Sequence, residues 1–260
     1  MMAKAVSVPK LRVLVTNDDG IDAEGLGALL EALEATGELD VWCVAPLQQR
    51  SACSHGMTLD RPIFAERRSP RRFATSGLTA DCVYFGMFGC MPAKPDVVVS
   101  GINRGPNLGT DVIYSGTVAG AREAAVRGVH GIAISLVDGD DFEPVARHAA
   151  PLAVELASSG SERPVVLNLN YPAGGFDEMR TGSLGRRRYP LTVEERLSPG
   201  RGDRYYWLGG PPVEDERVEG SDGWLISKGI ASATFLSTDQ GIALATEERT
   251  LLERLGIEES

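Results

Sequence analysis

No stretch of this 260-residue sequence approaches the roughly 18 consecutive apolar residues that a membrane-spanning helix needs. Positive charge is also in deficit. Lys and Arg number 26 against 36 Asp and Glu, a formal net charge of −10, whereas a phosphate backbone rewards clustered Lys and Arg. The composition therefore argues against a nucleic-acid partner but not against a small anion, because a metal ion can supply positive charge locally. The four cysteines, Cys43, Cys53, Cys82 and Cys90, form no CxxC pair and have no His at zinc-ligand spacing. A chain of this size buries enough surface to fold without disulfides, so reduced thiols are expected. There is no Gly-Lys-Ser/Thr, no GxGxxG after a strand signal and no Gly-x-Ser-x-Gly, so the nucleotide triphosphatase, dinucleotide-binding and serine-hydrolase motifs lack support. Met1–Lys10 is too short and too polar for a signal peptide. These features together predict a soluble, cytoplasmic protein with a disordered extension over residues 1–10 and no membrane partner.

What is present is an alternation of strand and helix signals across residues 11–172. Leu11–Thr16 is an apolar, β-branched run, followed by Leu26, Leu29, Leu30 and Leu33 on one helical face. Asp40–Ala45, Asp96–Ser100, Gly131–Leu136 and Val165–Leu169 read as further strands; Val97, Val98 and Val99 are apolar on both faces, as a buried parallel strand requires. A helix is expected over Gly116–Arg127, and Phe142, Val145, Ala146, Ala149, Leu152, Ala153 and Leu156 form another helical stripe. The pattern predicts an α/β fold: a Rossmann-like, mainly parallel sheet with helices on both faces. Residues 173–260 change character. Short alternating segments such as Arg204–Leu208 and Trp224–Ser227 read as β-hairpins, a C-terminal extension that could serve as an oligomerisation arm, and Thr246–Leu255 reads as a final helix.

Open parallel sheets bind ligands outside the carboxyl ends of their strands. Three polar loops are expected there. The first strand runs into Thr16-Asn17-Asp18-Asp19-Gly20, the second into the segment Gln48–His55 with Ser51 and Ser54, and the valine-rich strand into Ser100-Gly101-Ile102-Asn103-Arg104-Gly105. Adjacent carboxylates repel unless they share a cation or a proton; the bland alternative is that one of the pair caps the next helix while the other faces water. The aspartates are adjacent, not spaced Asp-x-Asp as in a haloacid-dehalogenase-type nucleophile site. Carboxylate, hydroxyl and amide oxygens are hard ligands suited to Mg²⁺ or Mn²⁺. Downstream, Tyr114-Ser115-Gly116-Thr117 opens a helix whose free N–H groups suit a phosphate, or whose Ser115 or Thr117 is simply an N-cap. His55 could protonate a leaving group or pack on the surface; His130 and His148 read as structural. The runs Arg67-Arg68, Arg71-Arg72 and Arg186-Arg187-Arg188 read as solvated loop faces, with attraction of an anionic substrate as the alternative.

Three segments, Val13–Ile21 (VLVTNDDGI), Pro95–Gly109 (PDVVVSGINRGPNLG) and Tyr114–Arg122 (YSGTVAGAR), resemble the SurE family of 5′/3′-nucleotidases. Supporting matches include Val44-Ala45-Pro46 leading to Ser51, Asp81-Cys82-Val83, Gly131–Ser135 and Tyr206-Trp207-Leu208-Gly209, so that the likeness spans about residues 11–240. The resemblance implies one divalent cation per subunit, Mg²⁺ or Mn²⁺, held by Asp18, Asp19, Ser51 and Asn103. It implies hydrolysis of nucleoside monophosphates, with Asp18 and Asp19 catalytic and the phosphate near Asn103, Gly101, Ser115, Gly116 and Thr117. It also implies a homodimer or homotetramer assembled through the extension. A broader acid-type phosphatase or exopolyphosphatase, and a metal-dependent nucleotide-binding regulator with little turnover, are the alternatives. The sequence departs from the family where Ala52 follows Ser51 in place of a usual Gly, in Gly77–Val83, and in Ser232–Leu236.

Overall fold

The computed structural model describes residues 10–199, 202–209, 214–216 and 218–239. The expected final helix at Thr246–Leu255 and nearly all of the extension over residues 1–10 lie outside them. In chain order the core elements are β1 (Leu11–Thr16), α1 (Glu24–Ala35), β2 (Leu39–Pro46), β3 (Ala65–Ser69), β4 (Arg72–Thr75), α2 (Thr79–Phe85), β5 (Val97–Arg104), α3 (Gly116–Val126), β6 (His130–Val137), α4 (Glu143–Ser158) and β7 (Val166–Pro172). A π-helical turn, Gly86–Cys90, extends α2, and a 3₁₀ turn, Gly109–Ile113, precedes α3. Then come β8 (Met179–Thr181), β9 (Arg186–Arg188), β10 (Val193–Leu197), β11 (Arg204–Leu208), β12 (Glu214–Glu216), α5 (Asp222–Ser227) and β13 (Ala231–Leu236).

Nine strands form one sheet in the order β3-β4-β2-β1-β5-β6-β7-β13-β8. Strands β4, β2, β1, β5, β6 and β7 run parallel; β3 and β13 are antiparallel to their neighbours β4 and β7. From β1 the chain builds outward to β2 and β4, then returns to the other side of β1 with β5. The crevice between β1 and β5 is thus the switch point, where such sheets place their ligands. The valine run explains the layers. Val97 and Val99 join α1 and α4 in one core, while Val98 joins Leu14, Val44, Cys82 and Val83 on the α2 side. Helix α3 covers Ala133 and Val166 through Val118 and Ala121. Helices therefore close both faces, as the alternation predicts.

The structure departs from the sequence reading in two places. Trp224–Ser227 is not a strand but most of helix α5, whose N-cap Ser221 accepts a hydrogen bond from Trp224 N–H. The arginine runs lie on strands as well as in loops. Arg67 and Arg68 are on the exposed edge strand β3, where charge discourages pairing with another chain, and Arg187 on β9 is 12% exposed in its side chain and bonded to Asp111. Within the extension, which the sequence reading makes part of the same domain as the core, β13 and β8 return to the core sheet. Strands β10 and β11 do form an antiparallel hairpin, with every residue of both exposed.

Candidate active site

The turn after β1 is shaped by Asn17, which is fully buried: its side chain donates to Gly20 O at 2.9 Å and accepts from Gly20 N–H at 3.1 Å. This clamp presents Asp18 and Asp19 at the carboxyl edge of the sheet. Neither caps α1, whose N-cap is Ala23 without a side-chain bond. Asp18 is 4% exposed and accepts a 2.5 Å hydrogen bond from Thr117 Oγ1 at the start of α3. Helix and aspartate approach so closely that a Cβ on Gly116 would lie 2.8 Å from Asp18 Cβ. Burial pushes the Asp18 carboxyl up to about 6; the Thr117 hydrogen bond pulls the other way, and the adjacent Asp19 charge adds to the rise. Burial also raises Asp19, which the Arg104 N–H, the Arg104 charge and the Gln49 amide only partly offset. Its two bonds are long, 3.5 Å from Gln49 Nε2 and 3.3 Å from Arg104 N.

The second loop is stapled at intervals. Arg50 N–H donates to Asp18 O at 2.7 Å, Ser54 donates to Ile113 O and Tyr114 O, and Thr58 bonds the buried Asp81 carboxylate through both N–H and Oγ1. His55 Nε2 meets Glu123 Oε2 at 2.9 Å, and Arg127 completes the pair on α3. Burial alone would raise Glu123, but His55 and Arg127 outweigh it and hold the carboxyl below its ordinary value. His55 thus ties the loop to α3 and is not among the residues lining the cavity around the aspartates. Ala52 and Ser54 hold φ of 56° and 53°, a left-handed backbone that L-residues seldom adopt. Ser51 Oγ accepts from Gln49 Nε2 at 3.0 Å.

The third loop begins inside β5. Ser100 pairs with Ala133 but Asn103 pairs with Ser135, so β5 carries one more residue than β6 across this span. A β-bulge of this kind bends its strand and re-aims the residues that follow. Gly101, at φ +143°, lies beneath it; a Cβ there would meet Ile134 O at 2.5 Å. Asn103 Nδ2 donates to Gly105 O at 2.8 Å, so the amide nitrogen is engaged and the oxygen is the atom that a cation could use. The next stretch is fixed from below: Asn107 Nδ2 bonds Ser135, and Asn168 and Asn170 both donate to Asn107 O.

Asp18, Asp19, Ser51, Asn103 and Ser115 all line one cavity of about 840 Å³. The three loops selected from the sequence converge there. Gly101, Gly116 and Thr117 do not line it; they are buried behind its wall, with Thr117 committed to Asp18. Ser115 is the N-cap of α3, accepting from Val118 N–H. Asp111, Tyr114, Tyr189, Leu208 and Gly209 also line the cavity; the motifs flag Tyr114 beside Ser115 but give no sign of Tyr189. No cluster of three or more His, Cys, Asp or Glu suited to a metal occurs among the described residues. Any cation here is held by two carboxylates and neutral oxygens.

A family model described as Survival protein SurE matches residues 13–190. The chain belongs to the SurE family. Among SurE relatives, a protein of Anaeromyxobacter dehalogenans named 5′-nucleotidase SurE is 45% identical over 234 residues, covering 88% of this chain and 91% of that protein. A protein of the same name from Syntrophotalea carbinolica is 44% identical over 232 residues, covering 87% and 91%. The crystal structure of SurE from Aquifex aeolicus superposes with a TM-score of 0.78 at 32% identity, covering 93% of this chain and 99% of that one.

Proposed function

We propose that this SurE-family chain is a metal-dependent phosphomonoesterase that hydrolyses nucleoside 5′-monophosphates, with nucleoside 3′-monophosphates as the alternative substrate, releasing nucleoside and phosphate. The observation that carries this reading is the convergence of Asp18, Asp19, Ser51 and Asn103 from three separate loops into one cavity at the switch point of the sheet. The names of the relatives support it. The donor set fits a hard divalent cation. Two neighbouring carboxylates are driven toward neutrality by burial, and the Arg104 guanidinium, which also lines the cavity, bonds Glu24 instead. Asp18, Asp19, Ser51 and Asn103 would hold one Mg²⁺ or Mn²⁺ per subunit. When bound, such an ion polarises a phosphoryl oxygen and activates water for attack.

The protein's own groups supply the rest. Asp19, less tightly bonded than Asp18, is placed to accept a proton from the attacking water. Asp18 is fixed by Thr117 as a ligand. Asn103 and Ser115, which line the cavity, would meet the phosphate, with Gly116 and Thr117 at the start of α3 and Gly101 in the bulge behind them. The exposed hairpin, with Val193, Leu197, Tyr206 and Trp207 uncovered, supports assembly into a homodimer or homotetramer. Four free thiols accord with a cytoplasmic setting; among the described residues no helix is long and apolar enough to cross a membrane.

The test is phosphate release from AMP with Mn²⁺. Asp19→Asn should lower turnover at least about 100-fold with an unchanged circular dichroism spectrum. Full activity in that variant would sink the site, and turnover of polyphosphate in preference to AMP would favour the exopolyphosphatase alternative.

A further inference from the structure

We propose that Arg104 is the movable cation of this site: it leaves Glu24 when substrate enters and grips the oxygens of the phosphate bound beside Asp18 and Asp19. The inference rests on the phosphomonoesterase reading and adds to it a charge that neither the metal ligands nor the start of α3 supplies.

The charge on the cavity wall is one-sided. Asp18, Asp19 and Asp111 line it, and Arg104 is the sole Lys or Arg among its lining residues. A divalent cation held by Asp18 and Asp19 is balanced by their two charges, and Asp111 is paired with Arg187. Arg104 is therefore the positive charge left for a phosphate dianion. The backbone places it. Arg104 ends β5, one residue past Asn103, and pairs with Leu136 of β6. Its N–H reaches Asp19 Oδ2 at 3.3 Å. Alternation along the strand sends its side chain to the α1 side. There Nη2 donates to Glu24 Oε2 at 2.6 Å, and the guanidinium lies over Phe142, 5.4 Å from the ring centroid. A second cavity of about 470 Å³ opens at this point and shares Asp19, Gln49 and Arg104 with the first. Arg104 thus stands at the boundary of the two spaces, on a backbone that the sheet holds still.

Glu24 holds the guanidinium weakly. The side chains of Arg104 and Glu24 are 54% and 76% exposed, and an exposed pair of this kind shifts an equilibrium by less than about fivefold. Arg187 and Asp111 give the contrast: at 12% and 15% exposed they are shielded from water and tie β9 to the turn before α3. A phosphate at the aspartates lies deeper than Glu24, because Asp18 is buried. It also offers the planar guanidinium fork two oxygens at once, an arrangement stronger than a single exposed contact. The exchange of Glu24 for phosphate is therefore favourable. Glu24 competes with the substrate for the same donor groups, so the strength of the pair sets how tightly the phosphate is held.

The experiment measures the dissociation constant of inorganic phosphate by calorimetry with Mg²⁺ present, beside kcat and KM for AMP. The proteins are the wild type, Arg104→Ala, Arg104→Lys, Glu24→Gln and the double variant of Arg104→Ala with Glu24→Gln. Arg104→Ala weakens phosphate binding and raises KM about tenfold with kcat little changed. Arg104→Lys, a point charge without the fork, recovers part of that loss. Glu24→Gln tightens phosphate by up to about fivefold, and the gain vanishes in the double variant. Wild-type phosphate affinity in Arg104→Ala overturns the proposal; continued AMP hydrolysis in that case leaves the phosphomonoesterase reading standing. A gain from Glu24→Gln that survives in the double variant also overturns it, because Arg104 is then not the group that Glu24 withholds. A wild type that binds phosphate through Arg104 yet leaves AMP intact overturns the phosphomonoesterase reading alone, and one that does neither overturns both.

Discussion

Strands β5 and β10 belong to the same chain yet meet opposite demands. In β5 the first six residues, Val97 to Ile102, are buried, and the chain then emerges as Asn103 at the edge of the cavity. In β10 every residue is exposed, and its partner β11 carries Tyr206, Trp207 and Leu208 uncovered. The first arrangement gives precision, because a side chain projecting from a packed sheet inherits the position of the whole core. The second gives reach. The hairpin contributes Leu208 to the cavity mouth while leaving apolar surface exposed.

The contrast can be broken first by stability. Leu14→Ala should cost about 3–4 kcal/mol, since Leu14 is fully buried between β1 and α2. Trp207→Ala should change the unfolding free energy of an isolated protomer by less than about 0.5 kcal/mol. Urea denaturation measures both. A Trp207→Ala loss comparable to that of Leu14→Ala, and growing with dilution of the protein, would instead show the hairpin folded into a permanent interface.

Within the precise half, Asp18 has placement at the expense of stability. Its folded carboxyl lies near 6 against an ordinary 3.8, so the folded state binds the extra proton between these values. Stability from this group is therefore fully present at low pH and lost as pH rises through about 6. Asp18→Asn should be more stable by up to about 3 kcal/mol when measured without metal at pH 7.5, and inactive when assayed with Mn²⁺. An Asn variant less stable than wild type would contradict this account. Glu123 has the opposite sign. Its carboxyl sits below the ordinary 4.5, so its contribution is present at neutral pH and lost as pH falls through and below that value. Glu123→Gln should cost about 2 kcal/mol at pH 7, with the gap to wild type narrowing in acid; a gap independent of pH would mean that charge is not what holds His55. The smallest effect is expected at Ala52, where glycine relieves a left-handed φ: Ala52→Gly should raise the melting free energy by about 1 kcal/mol or less. A decrease would show that loop entropy outweighs the backbone strain.

Much of the core was legible because parallel strands buried on both faces leave continuous β-branched runs, and Val97–Val99 is the clearest of these. The site was legible for a related reason: the end of a strand fixes where the next polar residues emerge. Other features were hidden. The bond between Thr117 and Asp18 spans 99 positions and that between His55 and Glu123 spans 68, and a local pattern carries no trace of such pairs. Hairpin β3–β4 was read as charged loop because its edge strand faces solvent throughout. Helix α5 was mistaken for strand because six residues give periodicity little room, although Ser221 before Asp222 was an available start signal. The bonds from Arg187 and Tyr189 to Asp111 depend on β9 meeting the 3₁₀ turn, a juxtaposition that composition does not encode.

The extra residue in β5 also makes the site a matter of counting. Residues before Gly101 and residues after Ile102 pair with β6 in frames offset by one. Because side chains alternate along a strand, odd and even positions exchange faces across that point. A regular pairing of the same residues, without the bulge, would turn Asn103 to the opposite side of the sheet; deleting one residue between Ser100 and Asn103 would bring the two frames into step, keep Asn103 on the face of Ser100 and Ser135, and remove only the bend. One extra residue, and not its chemistry, thus sets the side of the sheet on which Asn103 emerges.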